Sequence, residues 1–249
     1  MISIIIPACN EAAHLPATLA SVRAQTAQHA VLVVDAQSAD ATSALAEEGG
    51  ARVLASTRRQ RAAQMNAGAR AAGGEFLLFL HADTLLAPGA LTKIVRAFRD
   101  PATLGGGFAR RYDAPSAVLR LTCALAEVRT RCFGWFLGDQ AIFVRRSAFE
   151  ELGGFREWDI FEDLDFSRRL ARAGRVVTLR PPVISAARRF ATRGAMRTTW
   201  SDLLLTARYA LAKEHRLPAG AASGPSGRSP AAPQAGSPLA AHAGSLCSK

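Results

Sequence analysis

The sequence is poor in acidic residues, in cysteine and in long apolar runs, and each shortage narrows the reading. Against 31 lysines and arginines stand only 20 aspartates and glutamates, a formal charge of +11 over 249 residues. A surface of that sign suits phosphate-bearing substrates, polyanions or anionic membrane leaflets, and as a plain solvated surface it carries no function at all. The four cysteines, Cys9, Cys123, Cys132 and Cys247, form no CxxC pair and fit no zinc spacing, so reduced thiols in a cytoplasmic protein are expected. No stretch approaches the roughly 18 apolar residues of a membrane span. The opening MISIIIPACNEAAH has a short apolar run without a basic flank, which argues against a secretory leader. The expected location is therefore the cytoplasm, with peripheral contact at the inner face of a membrane left open. A GxGxxG phosphate loop is also missing, which disfavours an ordinary dinucleotide fold.

What remains is a chain that is 49% hydrophobic, enough for a sizeable core. Its first half alternates strand and helix signals. ISIII (2–6) reads as a strand stopped by Pro7, and residues 14–27 have helical composition. VLVVD (31–35) is a second strand and residues 39–48 a helix. ARVLAS (51–56) is a third strand, and RAAQMNAGARAA (61–72) an Ala-rich helix ended by Gly73 and Gly74. FLLFL (76–80) is the fourth strand, followed by a helix to about Arg99 with Pro88 in its first turn. Continuous apolar strands alternating with helices predict an α/β fold with a mostly parallel sheet covered on both faces.

The second half is less regular. Strands are expected in GGGFARRYD (105–113) and QAIFVRR (140–146), and helices over 115–131 and 162–173. VVTL (176–179) is a short strand before Pro181 and Pro182. A last amphipathic helix over 196–213 carries Trp200, Leu203, Leu204, Ala207 and Leu211 on one face, suited to a membrane surface or a dimer contact. The Ala/Gly/Ser/Pro-rich residues 216–249 form a tail with too little apolar surface to order itself. One domain is expected over 1–215, in two parts, 1–100 and 101–215.

Parallel sheets bind ligands beyond the carboxyl ends of their strands. Three strands deliver polar groups there: Asn10 and Glu11 after the first, Asp35 ending the second, and His81 and Asp83 after the fourth. Locally each has a bland reading, since Asn10, Glu11, Ser38 and Asp40 suit helix starts. Arg58, Arg59 and Arg61 lead into a helix, where guanidinium groups can clamp a diphosphate or simply be solvated. A carboxylate at Asp83 suits Mg²⁺ or Mn²⁺ on phosphate, because these cations often take one or two protein carboxylates and complete their shell from phosphate and water. In FEDLDFSRRL, Glu162 and Asp163 open a helix, and Asp165 and Arg169 make an i,i+4 pair. The helix terminus is expected to lower the Asp163 pKa, leaving an ionised but weak base.

IIIPACNEA, VVDAQSAD, QMNAGA, FLHADT, GDQAIFVRR, LGGF and EDLDFSRRL occur in the order seen in inverting family 2 glycosyltransferases of the GT-A fold, a Rossmann-like architecture. The resemblance covers roughly residues 1–215 and is nearest to the subgroup called transferase 2, rSAM/selenodomain-associated. It implies transfer of a sugar from a nucleotide-diphosphate donor, commonly a UDP-sugar, to an acceptor hydroxyl of unknown identity, with no nucleic-acid partner. By this resemblance Pro7, Asn10, Glu11, Asp35, Ser38, Arg61, Asn66, His81 and Ala82 hold the nucleotide. Asp83 is the carboxylate for Mg²⁺ or Mn²⁺, and Asp163 is the general base. Asp139, Gln140, Glu162, Arg169 and Arg188 face the donor sugar and acceptor. The chain departs from the family pattern with HAD for DAD and with Ala36 for the usual glycine, a position where φ > 0 is then expected to be strained. A sugar-phosphate nucleotidyltransferase and a non-catalytic basic binding protein are the rival classes.

Overall fold

The structure, a computed structural model, describes residues 1–188, 190, 194, 196–200 and 204. The elements of the first half follow the expected alternation: β1 (Ile2–Ala8), α1 (Leu15–Arg23), β2 (His29–Asp35), α2 (Thr42–Glu48), β3 (Arg52–Ala55), α3 (Arg61–Ala71) and β4 (Phe76–Phe79). The two-residue strand β5 (Thr84–Leu85) then precedes α4 (Ala90–Ala97). The second half contains β6 (Thr103–Tyr112), α5 (Ala117–Phe133), a 3₁₀ turn at Gly138–Gln140, β7 (Ile142–Arg145), α6 (Arg146–Glu151), α7 (Glu162–Ala173) and β8 (Arg175–Ser185).

One eight-stranded sheet runs in the order β3-β2-β1-β4-β7-β6-β8-β5. β3, β2, β1 and β4 are mutually parallel. β7 is antiparallel to both β4 and β6, β6 and β8 are parallel, and β5 closes the edge antiparallel to β8. The sheet is thus parallel across its first four neighbours, β3 to β4, and mixed beyond them, with β7 running against both of its neighbours.

β1 is apolar on both of its faces, with Ser3 the exception. Ile2, Ile4 and Ile6 pack with Leu15, Leu19, Val22, Leu91 and Ile94 of α1 and α4 on one face. Ile5 points the other way, to Leu32, Leu77, Met65, Phe166 and Leu170 under α3 and α7. Alternate side chains of a strand face opposite sides, so a strand covered on both is apolar on both, and the hydroxyl of buried Ser3 is spent on the Gly74 N–H (2.9 Å).

Three local expectations fail, each over proline. Pro7 does not stop β1, which runs on to Ala8, paired with Asp35. Its β4 neighbour is already left behind at Ile5–Phe79. The amide that Pro7 lacks faces that vacated side, so no ladder bond is lost. Pro181 and Pro182 do not end β8 either. Phe108↔Leu179 is followed by Arg110↔Val183, so two residues of β6 oppose four of β8, and the prolines sit in that bulge. Pro88 precedes α4 instead of lying within its first turn; Gly89, with φ 73°, is the residue flanking the helix. The short α6 was not anticipated.

Among the described residues no helix is long and apolar enough to cross a membrane. Of the expected 196–213 helix, residues 196–200 and 204 are helical and Trp200 and Leu204 are exposed. Leu203, Ala207 and Leu211 lie outside the described residues, as does the tail at 216–249.

Candidate active site

The loops leaving β1 and β2 are laced together by short polar side chains. The Asn10 amide N–H donates to Ser38 Oγ (2.8 Å), and the Ala39 N–H donates back to Asn10 Oδ1 (2.8 Å). The Glu11 N–H reaches Thr42 Oγ1 at 2.8 Å and the Ala12 N–H reaches Asp40 Oδ2 at 3.1 Å. Asn10 and Gln37 both have φ 56°, and asparagine tolerates that region better than most residues. Ala36 is not among the left-handed residues, so the strain expected there falls one position later, on Gln37.

Asp35 is buried, and its carboxylate accepts from the Ser38 N–H (3.1 Å), the Ser38 hydroxyl and the Ser43 hydroxyl (3.0 Å). Its charge organises the turn into α2, and Ser38 serves the same turn. Gln64 was missed by the sequence reading. It is buried in α3 and its Nε2 donates to the Ala8 and Val34 carbonyls (2.9 and 2.7 Å), tying the ends of β1 and β2 together. Two amide side chains, Gln64 and Asn66, on the buried side of an Ala-rich helix were the available signal.

β4 hands over to His81, Ala82 and Asp83. Arg188, at the far end of the chain, grips Glu11 with both Nη atoms (2.9 and 2.6 Å) and also lies 3.1 Å from Asp83 Oδ2. One guanidinium thus joins the ends of β1 and β4. Ala82 supplies no side chain to the site: it is buried, and its carbonyl accepts from Thr18 Oγ1 at 2.7 Å. Burial, helped by the positive charge of Arg61, pulls the His81 pKa down to about 4, so the ring is neutral. Its Nε2 is buried without a hydrogen-bond partner.

The second half brings its acids to the same place. Asp163 Oδ2 accepts from the Gly138 N–H at 2.6 Å, and Oδ1 accepts from the Leu164 N–H at 2.6 Å. A side chain at position 138 would collide with His81 Nε2 and crowd Asp163 Oδ2, so glycine lets the 3₁₀ turn lie between them. Burial raises the Asp163 pKa above the ordinary value, against the opposing pull of the Gly138 and Leu164 amides and of Arg61. The expected lowering at a helix start is therefore overturned: burial outweighs the helix terminus. Beside it Glu162, only 3% exposed, meets Arg61 Nη1 at 3.3 Å. Its pKa is pushed up to about 7, first by burial and then by the charge of Asp163, with Arg61 pulling the other way.

Asp139 follows Gly138 directly. It pairs with Arg110 and accepts from Tyr112 Oη at 3.0 Å, while its Oδ1 is buried without a partner. Burial pushes its pKa up, but the Arg110 charge, together with His81, the Arg110 hydrogen bond and Arg129, outweighs this and holds it below the ordinary carboxylate range. Arg110 and Tyr112 were not singled out in the sequence.

Three expected site residues are engaged elsewhere. Gln140 spends its amide on Arg129 (2.8 Å), the Leu137 N–H (3.2 Å) and the Phe108 carbonyl (3.1 Å), which fixes the 3₁₀ turn. Arg169 holds Asp165 (2.8 Å) and the Leu152 and Gly154 carbonyls (2.6 and 2.8 Å). Asn66 bonds both the carbonyl and the N–H of Phe155 (2.8 and 2.9 Å). Arg169 and Asn66 thus pin the loop at 152–155 and have no polar atom left over for a sugar. Pro7 contributes only backbone direction at the end of β1. Of the three arginines before α3, Arg58 pairs with Glu157, Arg59 Nη2 donates to the Gln37 carbonyl (2.8 Å), and Arg61 alone reaches the acidic cluster.

Among the described residues, no group of three or more His, Cys, Asp or Glu side chains gathers as a metal shell. The donor set fits a different arrangement. One carboxylate, Asp83, is already held by a cation, Arg188. Two orphaned donor atoms, Asp139 Oδ1 and His81 Nε2, are buried nearby, and both acids act electrostatically on His81. A hard divalent cation that draws most of its oxygens from a diphosphate suits that set.

The family model described as glycosyl transferase family 2 matches residues 3–153. No curated protein matches the chain. Among solved structures, the mannosyltransferase PcManGT from Pyrobaculum calidifontis, in complex with GDP-Man and Mn²⁺, is similar at TM-score 0.61 and 22% identity, over 82% of this chain and 64% of that one. S. aureus TarS 1–349 in complex with UDP-GlcNAc is similar at TM-score 0.57 and 18% identity, over 74% of this chain and 58% of that one. The chain therefore spans less than two thirds of the length of either. At such identities the likeness establishes the fold, an α/β architecture with a mixed sheet between helices.

Proposed function

The chain belongs to glycosyl transferase family 2, and from that membership we propose that it moves a sugar from a nucleotide-diphosphate sugar to an acceptor hydroxyl with inversion at the anomeric carbon. One observation carries the reading. Acids from three separate places in the chain, Glu11 after β1, Asp83 after β4 and Asp163 at the start of α7, are joined through Arg188, His81 and Gly138 at the carboxyl edge of the parallel strands. The bound nucleotide-sugars of PcManGT and TarS support a donor of this class. UDP is the proposed nucleotide, and the nearer likeness to the rSAM/selenodomain-associated subgroup rests on motif order alone. The three described cysteines are free, in keeping with the proposed cytoplasmic setting.

In this reading Asp163 accepts the proton of the acceptor hydroxyl as its oxygen attacks the anomeric carbon from the face opposite the diphosphate. Burial raises its basicity, while the Gly138 and Leu164 amides fix both oxygens and leave a lone pair of each free. Arg188 and Arg61 align the diphosphate, with Arg188 exchanging the carboxylates of Glu11 and Asp83 for phosphate oxygens. Neutral His81 shields the reacting centre without adding charge. Asp83 would hold Mg²⁺ or Mn²⁺, which when bound supplies positive charge at the departing diphosphate. Asp35, Ser38 and Asn10 shape the loops against which the nucleoside lies.

A second reading has its own observation: Glu162 titrates near 7, the matched range for a base at neutral pH. The two are separated by single substitutions. Asp163→Asn is expected to lower turnover by about 10²–10⁴-fold, measured as UDP release in the presence of acceptor, with UDP affinity kept. If Glu162→Gln produces that loss instead and Asp163→Asn does not, Glu162 is the base. Release of pyrophosphate instead of UDP would move the chain to the nucleotidyltransferases.

A further inference from the structure

A second concavity, of about 470 Å³, lies between α5, β6 and β8, and the mechanism above makes no use of it. Four guanidinium groups line it, Arg110, Arg111, Arg120 and Arg180, against one acid, Glu127. Glu127 is already shared by Arg180 and by Arg131 (2.7 Å). Among the described residues no acid pairs with Arg111 or Arg120. Arg110 is 92% buried and, although one Nη pairs with Asp139, its Nε is buried with no hydrogen-bond partner. A buried unpaired donor costs stability and is usually explained by a missing ligand or water. The rest of the wall is largely apolar, from Ala109, Leu119 and Pro182.

From these features we propose that this pocket binds the anionic group, phosphate or carboxylate, of the acceptor. It holds more fixed positive charge than its own acids neutralise, and guanidinium forks suit both oxyanions. The apolar wall suits the carbon body next to that group. Continuity with the reaction centre comes through Gln140 and Arg110. Gln140 lines the pocket and belongs to the same 3₁₀ turn as Gly138, which holds Asp163, and Arg110 reaches from the pocket to Asp139. An acceptor anchored here lies against the turn that holds the proposed base. The inference deepens the glycosyl-transfer reading and rests on it for the word acceptor, while the anion site itself stands on the pocket's own residues.

The test is calorimetric titration of the full chain with phenyl phosphate, benzoate and neutral benzyl alcohol, without nucleotide. Wild type is expected to bind one or both anions saturably, more weakly as salt rises, and not the alcohol. Which anion binds distinguishes a phosphate from a carboxylate acceptor. The exposed pair Arg111→Gln/Arg120→Gln is expected to weaken anion binding by about tenfold or more, since each charge-assisted contact is worth roughly that. Arg96→Gln, on α4, is the control and is expected to change nothing. Equal binding by wild type and the double variant, or no saturable binding of either anion, overturns the proposal. UDP titrated with Mn²⁺ into the same samples keeps the two readings apart. UDP binding without anion binding removes the pocket and leaves the donor reading, and the converse removes the donor reading and leaves an anion site.

Discussion

The two halves of the cleft are built from different chemistry. The loops after β1 and β2 are assembled from Asn10, Ser38, Asp40 and Thr42, whose short side chains accept from amides of the facing loop, with the Ser43 hydroxyl donating to Asp35. In the half formed by β6, the 3₁₀ turn and α7, ionisable groups are buried and their proton affinities displaced: Asp163 and Glu162 upward, Asp139 downward. Carboxylates whose proton affinity is raised mark where a proton can be accepted, whereas a rigid laced loop and a His81 ring held neutral mark where a ligand is positioned. One side of the cleft holds; the other reacts.

The largest expected effect lies on the reacting side, in the turnover loss of about 10²–10⁴-fold for Asp163→Asn. Loss of UDP affinity in that variant would blur the division. Next comes Arg110→Met. It strands the Asp139 carboxylate in a buried site, and breaking such a pair costs about 3–5 kcal/mol, read as a lower denaturant midpoint with an unchanged slope. A loss as small as that of a surface pair would show that Asp139 is not buried as described.

Glu162 gives a pH test. Its carboxyl titrates near 4.5 when free and near 7 in the folded chain, so the folded state holds the proton more tightly than the unfolded one. Its contribution to stability is full below pH 4.5 and declines as pH rises to about 7. Glu162→Gln is expected to lessen that decline in melting temperature, the part that remains belonging to Asp163, whose proton affinity is raised in the same direction. A variant whose stability falls as far over that range as wild type would assign the titration to another group.

Smaller effects belong to the holding side. Ser38→Ala removes a turn contact to Asp35 and is expected to cost about 1 kcal/mol. It should weaken UDP binding more than it slows turnover. Arg58→Ala, which breaks an exposed pair with Glu157, is expected to change stability by about 0–1 kcal/mol.

The holding side was the more legible in sequence, because its residues follow directly on the strands that aim them. VLVVD and FLLFL end at Asp35 and His81–Asp83, and the parallel register does the rest. Even there Asp35 faces its own turn, a choice made by Ser38 and Ser43 that strand periodicity does not report. The reacting side was legible only in part. Glu162 and Asp163 stand where the helix signal put them, at the first turn of α7. The direction of the Asp163 shift was not, since it depends on burial against a turn 25 residues away. Arg110 and Tyr112 meet Asp139 only because β6 lies beside β7, and Arg188 meets Glu11 across 177 positions. Pro181 and Pro182 were read as a stop because the β8 bulge that accommodates them is a property of the pairing with β6.

The division between holding and reacting can be measured without knowing the acceptor. UDP and GDP are titrated with Mn²⁺ into wild type, Asp83→Asn and Asp163→Asn. The account expects saturable binding of at least one nucleotide to wild type, a loss of about tenfold or more in Asp83→Asn, and an unchanged affinity in Asp163→Asn. Absence of nucleotide binding by wild type, or equal affinities across all three proteins, would contradict it.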